Sequence, residues 1–434
     1  MPSERISLAT YWRLVRDNAN FRRLWLAQIV SEMGDWFYTI ALYTLLLEIT
    51  GQAQSVALAL MLQVLPQTLL GPASGVINDR LRRKHVMIAA DLARVVIVLL
   101  MLLVRSRETV WLVYPLLALE TVMWAFFEPA RTAVIPNLVR REQALAANTL
   151  SATTWSFNLA MGAALGGVVA SLLGRDIVFV LNALSFGISA VLIARMQFAE
   201  PHSEGHAPFR MRDLVDFSPI AEGMRYVRRD PRLLVTLFAK TGLGVVGGSW
   251  VLFPVLAQRT FPLAAAGLDA ERAAMLSLSL LVGARGVGAL IGPLLAAPWA
   301  QKNERRLRYG ILFGYAFMAL GYLLLAAAPS LTLACASVAL AHVGGSMVWV
   351  LSTTLLQLGT EDRFRGRVFS AELGFCMLAI GVGAYLAGQA IDGGTALPRV
   401  ALGIGVAGLA GGALWACGLR AWKRAPEPLP VTNL

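Results

Sequence analysis

Twelve apolar stretches, separated by mostly short polar segments, run along the chain. Crossing a bilayer core takes about 20 mostly apolar residues in helical form, because every backbone polar group must be paired inside the span. Each stretch is therefore a predicted transmembrane helix. The predicted spans cover residues 24–48, 55–78, 85–104, 110–130, 144–173, 177–196, 233–258, 273–300, 309–328, 331–359, 369–391 and 400–422. The fold class that follows is all-α: a polytopic membrane protein with twelve transmembrane helices.

The one long polar stretch, 197–232, divides these spans six and six. The predicted organisation is an N-terminal six-helix bundle over 1–196, a cytoplasmic linker over 197–232 and a C-terminal six-helix bundle over 233–434. Within the linker, residues 213–229 mix apolar and charged positions at helical spacing, which predicts an amphipathic helix at the membrane surface. The halves echo each other. Asp79-Arg80-Leu81-Arg82-Arg83-Lys84 follows span two, and Gln301-Lys302-Asn303-Glu304-Arg305-Arg306 follows span eight. Two pseudo-symmetric bundles of this kind, with a cavity between them at mid-depth, are a transporter architecture.

Composition agrees. Of 434 residues, 57% are hydrophobic and 15% charged, against about 25% charged in soluble domains. The net charge of +12 does not point to nucleic acid, because the basic residues lie in short clusters between apolar runs. Alternate segments, starting with the N-terminus, hold 29 of the 38 Lys and Arg, and the intervening loops hold 6. That asymmetry places both termini and the central linker in the cytoplasm. The N-terminus shows no short apolar region with a small-residue cleavage site, so its polar stretch is expected to be retained. Cys335, Cys376 and Cys417 lie in apolar runs and are expected to be reduced packing residues.

The loop Gly75-Val76-Ile77-Asn78-Asp79-Arg80-Leu81-Arg82-Arg83-Lys84 has a Gly, an Asp-Arg pair four residues on, and two further basic residues. With twelve spans around it, the chain resembles the major facilitator superfamily at its signature loop between spans two and three. Arg82 stands where that signature often has a second Gly. Phe21-Arg22-Arg23-Leu24-Trp25, Ser31-Glu32-Met33-Gly34-Asp35-Trp36, Asp91-Leu92-Ala93-Arg94, Pro129-Ala130-Arg131 with Ile135-Pro136, and Arg365-Gly366-Arg367 are similar to the drug and siderophore exporters of that superfamily, which include macrolide efflux proteins and enterobactin exporters. Lysophospholipid transporters have a similar layout. The resemblance implies alternating access and a cytoplasmic latch formed by Gly75, Asp79, Arg80, Arg83, Asp91 and Arg94, with a partner for Asp79 near Ser370 and Glu372. A buried Arg in span four, present in many proton-coupled drug antiporters, has no counterpart within 110–130.

Ionisable groups at membrane depth cost about 2.5–3.5 kcal/mol each at a helix centre, and they persist facing a wet cavity or a partner. Asp35 lies about 17 Å into span one at 1.5 Å per residue, and Glu32 is on the same face. Glu120 is near the middle of span four and Arg285 near the middle of span eight. These residues suit a proton-coupling or cation-recognising site; the competing reading for each is an ion pair or cap that pins neighbouring helices. Arg285 is either a counter-ion for Glu120 or a subsite for an anion. Lys240, early in span seven, either joins the cavity or extends to the cytoplasmic surface. His342 either titrates or packs.

The functional expectation is a proton-coupled exporter of a lipophilic or amphipathic small molecule, a drug or siderophore. The alternative is a lysophospholipid or other lipid transporter. The expected partners are that small-molecule or lipid substrate, protons and membrane lipids, without nucleic acid, and the chain is expected to be a monomer in a bacterial plasma membrane. No cofactor, metal or enzymatic activity is expected. No phosphate-binding Gly-x4-Gly-Lys-Ser/Thr loop occurs, nor any His-Glu-x-x-His.

Overall fold

The computed structural model describes residues 8–70, 73–74, 77–78, 81–140, 143–200, 218–263, 269–300, 303–360, 362–420 and 422. Most of the described residues are helical; the rest lie in turns, bends and irregular segments such as 196–200 and 261–263. The helices are α1 (Leu8–Asp17), α2 (Ala19–Thr50), α3 (Ala53–Leu69), α4 (Arg83–Leu100), α5 (Val113–Leu138), α6 (Ala144–Leu173), α7 (Arg175–Ala194), α8 (Ser218–Val227), α9 (Pro231–Leu237), α10 (Gly247–Arg259), α11 (Ala270–Ala300), α12 (Glu304–Ala326), α13 (Leu331–Gly359), α14 (Asp362–Asp392) and α15 (Leu397–Gly418).

Among these residues nine helical stretches are long and apolar enough to cross a membrane, or ten if the bent pair Thr153–Leu159 and Ala164–Leu173 is one span. The long helix α2 is more polar because it carries Glu32 and Asp35, and the second span contributes the shorter apolar helix Ala53–Pro66. Each of the twelve predicted spans thus contains helix. Large apolar side chains are exposed in stripes: Ile177, Leu181, Leu184, Ile188 and Val191 follow one another at helical spacing on α7. Such a stripe is destined for lipid rather than water.

The chain forms two compact units. Unit one holds Met1–Asp216 and Phe253–Gly286; unit two holds Phe217–Leu252 and Val287–Leu434. In unit one, α2 packs on α6 and α7, and α4 packs on α5 and α7. Small residues bring these helices close. A Cβ on Gly34 would stand 2.4 Å from Ser185 Oγ, and one on Gly162 would stand 2.9 Å from Trp36 Cβ. Asn18 caps α2 by accepting from the Phe21 N–H, and Gly51, at φ 69°, ends it in the left-handed region.

The short helix α1 has no counterpart among the predicted elements. It is ten residues long, too short for the span pattern, and it docks Leu14 into a core with Phe21, Met87, Val134 and Ile193.

In unit two, α12 lies tightly on α13, where Gly314 and Gly344 meet each other's backbone, and on α15. The amphipathic helix predicted over 213–229 is helical at 218–227, and its first residues lie outside those described. Its apolar face is turned to protein. Val227 is fully buried, and the Tyr226 ring stacks on Phe364 at 4.3 Å.

The seventh span is not one helix. It runs as α9, a turn, a 3-10 segment Thr241–Val246 and then α10. Glycines let this segment pack tightly on α14: a Cβ on Gly244 would lie 2.1 Å from Ala379 Cβ, and one on Gly247 would lie 2.1 Å from the Ile380 carbonyl. The Tyr315 hydroxyl donates to the Ala239 carbonyl beside the break. That satisfies a backbone group in the only way hydrocarbon allows, from within the protein.

Candidate functional site: charged clusters at membrane depth

Unit one gathers its deepest charges around Arg94. Residues 91 and 94 are neighbours on one face of α4, and the Arg94 guanidinium donates to Asp91. Both side chains are sealed from solvent. The guanidinium lies 4.6 Å from the Phe127 ring of α5 and 4.1 Å from the Phe186 ring of α7. Two aromatic faces are a favourable place for a weakly hydrated planar cation. Asp35 on α2 and Glu120 on α5 are electrostatic neighbours both of Arg94 and of each other. Asp35 lies beside Asn182, and Asp91 lies beside Ser189. Unlike Asp91 and Arg94, the carboxylates of Asp35 and Glu120 sit on residues that are only half-buried. One sealed guanidinium therefore faces three carboxylates.

Glu32 belongs to a second network, one turn away on α2. It accepts from Gln28 Nε2 at 2.9 Å and from Asn158 Nδ2 at 2.8 Å. Gln28 in turn accepts from Arg131 at 2.9 Å, and Arg131 donates to both carboxylate oxygens of Glu128. The absence of a buried Arg in span four is corrected here. The helix continues through Pro129 and Pro136 to Leu138, so Arg131 lies inside it and is buried. The predicted span ended one residue too early, at Ala130.

Arg285 is not the cation beside Glu120; Arg94 is. Arg285 lies near the Tyr43 hydroxyl, which donates to Gln63 at 2.6 Å. His342 packs: its Nδ1 is 3.0 Å from the Val338 carbonyl of its own helix, and its ring meets Tyr322 edge-on.

In unit two, Lys240 does not extend to a surface. It is buried in the break of the seventh span, donates to Glu372 Oε2 of α14 at 3.0 Å, and holds its ammonium 4.4 Å from the Trp349 ring centre. Neither Glu372 as the partner of Lys240 nor the Arg94 rings were foreseen. Glu372 had been read only as a neighbour for Asp79.

Of the latch residues, Gly75, Asp79 and Arg80 lie outside the described residues, as does the side chain of Ser370. Arg83 donates to the Asn78 and Ala133 carbonyls at 3.1 and 3.0 Å. Asp91 and Arg94 belong to the deep cluster. Among the described residues no group of three His, Cys, Asp or Glu is arranged to hold a metal.

Residues 24–384 match the sequence model of the Major Facilitator Superfamily. The chain belongs to that superfamily. It is a multi-pass secondary transporter of a small molecule rather than an enzyme. Macrolide efflux protein A of Streptococcus pyogenes is 26% identical over 388 residues, 88% of this chain and 90% of that protein. The putative bacilysin exporter BacE of Bacillus amyloliquefaciens is 25% identical, over 73% of this chain and 75% of its own. The MFS-type transporter YfiS of Bacillus subtilis is 27% identical, and this chain spans about half of it, 53%. The fold matches the crystal structures of the nucleoside transporter NupG (TM-score 0.69, 11% identity, 94% of this chain and all of that one) and of a bacterial homologue of the lysosomal transporter Spinster (TM-score 0.70, 13% identity, 95% and 99%).

Proposed function

We propose that this superfamily member is an exporter that couples efflux of a lipophilic or amphipathic small molecule to protons by alternating access. The observation that carries the coupling is the ratio of three carboxylates to one guanidinium around Arg94. With all three ionised, two negative charges are uncompensated in a low-dielectric interior, and each proton taken up cancels one of them. Asp35 and Glu120 are the acids that exchange protons, while Asp91 holds Arg94 in place. Export as the direction draws on the distant macrolide and bacilysin exporters. The excess of Lys and Arg in alternate segments supports cytoplasmic termini.

The test is uptake into inverted proteoliposomes from a panel of amphipathic drugs, siderophores and a lysophospholipid, with and without an imposed proton gradient. The expected result is gradient-stimulated transport that Glu120→Gln and Asp35→Asn each remove while the variants remain monodisperse in detergent. Wild-type transport that ignores the gradient would sink the coupling. Lysophospholipid as the sole substrate would redirect the substrate class.

A further inference from the structure

We propose that the Glu372 and Trp349 side chains form a receptor for the cationic head of an organic substrate, and that Lys240 fills it as a tethered stand-in until the substrate displaces it. The inference rests on the exporter reading for its purpose, but binding itself does not depend on that reading.

The occupant shows what the receptor accepts. An alkylammonium sits there now, 3.0 Å from a carboxylate oxygen and 4.4 Å from an indole ring centre. A carboxylate combined with an aromatic face is how proteins recognise organic cations. The recognition is incomplete: Glu372 Oε1 is buried and accepts nothing among the described residues. That oxygen is free to accept from a second donor, such as an N–H or O–H of a bound cation.

Access and release are also present. Trp349 is 37% exposed, whereas Lys240 and Glu372 are 4% and 1% exposed, so the indole is the side from which the pair is approached. Lys240 rides on the interrupted seventh span, between α9 and the 3-10 segment, where no continuous ladder of helical hydrogen bonds fixes its backbone. A buried ion pair is in any case a weak fastener, since desolvation offsets most of its attraction. An anionic substrate fits less well. It would have to take Lys240 from Glu372 and set its own negative charge against the electron-rich indole face.

The experiment measures equilibrium binding of benzyltrimethylammonium, a permanent cation, and of benzoate to the purified full-length protein in detergent, without a gradient. Lys240→Met removes the competitor and is expected to tighten cation binding by about tenfold. Glu372→Gln is expected to abolish it. Trp349→Leu keeps both members of the ion pair, and its fold is checked by a thermal melt; it is expected to weaken cation binding by about three- to tenfold and to leave benzoate unaffected. The proposal is overturned if Lys240→Met binds the cation no tighter, if Trp349→Leu binds it as wild type does, or if benzoate binds and Lys240→Met abolishes that binding. Absent cation binding beside proton-driven transport would overturn the receptor alone. Cation binding beside gradient-independent transport would overturn the coupling alone.

Discussion

The two units solve the problem of buried charge in opposite ways. Around Arg94 the charges do not balance: three carboxylates share one cation. Around Lys240 they do balance, one to one, and both partners are sealed. An unbalanced cluster gains by taking up protons, because each one cancels an uncompensated negative charge. A balanced pair changes only when something replaces one partner. The first arrangement suits an ion that comes and goes; the second suits a solute that competes.

The harshest way to break the comparison is to remove the cation from the unbalanced side. Arg94→Met leaves Asp91 buried without its partner and is expected to cost about 3–5 kcal/mol, read as aggregation in detergent or a large fall in the thermal midpoint. Arg94→Lys should recover little, since an ammonium cannot lie flat between the Phe127 and Phe186 rings. Next in size is Gly34→Leu. Its side chain would run into Ser185 and Asn182, parting α2 from α7, and it is expected to cost about 1–3 kcal/mol while moving Asp35 away from Asn182. Thermal melts combined with gradient-driven transport check it: transport should fall by more than the lost stability explains.

On the balanced side, a smaller change tests whether the broken span is held from outside the membrane. Asp230 caps α9 by accepting from the Arg232 N–H at 2.8 Å. Asp230→Ala should cost about 1 kcal/mol. Burial pushes the Asp230 carboxyl up, but the hydrogen bonds and charge of Arg232 outweigh it and hold the group below the usual carboxylate range. A lowered folded value contributes stability that is present above the unfolded value, about 4, and lost as pH falls below it. The wild type should therefore lose more stability than Asp230→Ala does between roughly pH 5 and pH 3. Equal acid limbs in thermal melts would remove Asp230 from the account.

Much of the fold was legible because hydrocarbon imposes a length. Every predicted span contains helix, and the misreadings occurred where that rule is silent. A ten-residue amphipathic α1 lies below the length of a span. The interruption at 238–246 falls among glycines whose meaning depends on α14 lying against them. The predicted fourth span stops at Ala130, whereas the helix passes through Pro129 and carries Arg131 inward.

In the candidate site, depth along a span located Asp35, Glu120 and Lys240, but depth does not give azimuth. Depth therefore leaves Arg285 as one open reading for the counter-ion of Glu120, and it is Arg94 that holds the place. The aromatic pair Phe127 and Phe186 carried no signal of its own, because a phenylalanine in an apolar run has no distinguishing pattern.

The Arg94 guanidinium also has a mechanical consequence. It starts from α4 and is gripped by rings from α5 and α7, so it works as a rivet through three helices. None of the three can roll about its own axis without dragging the cation off a ring. Any stroke that unit one makes would then carry α4, α5 and α7 as one piece.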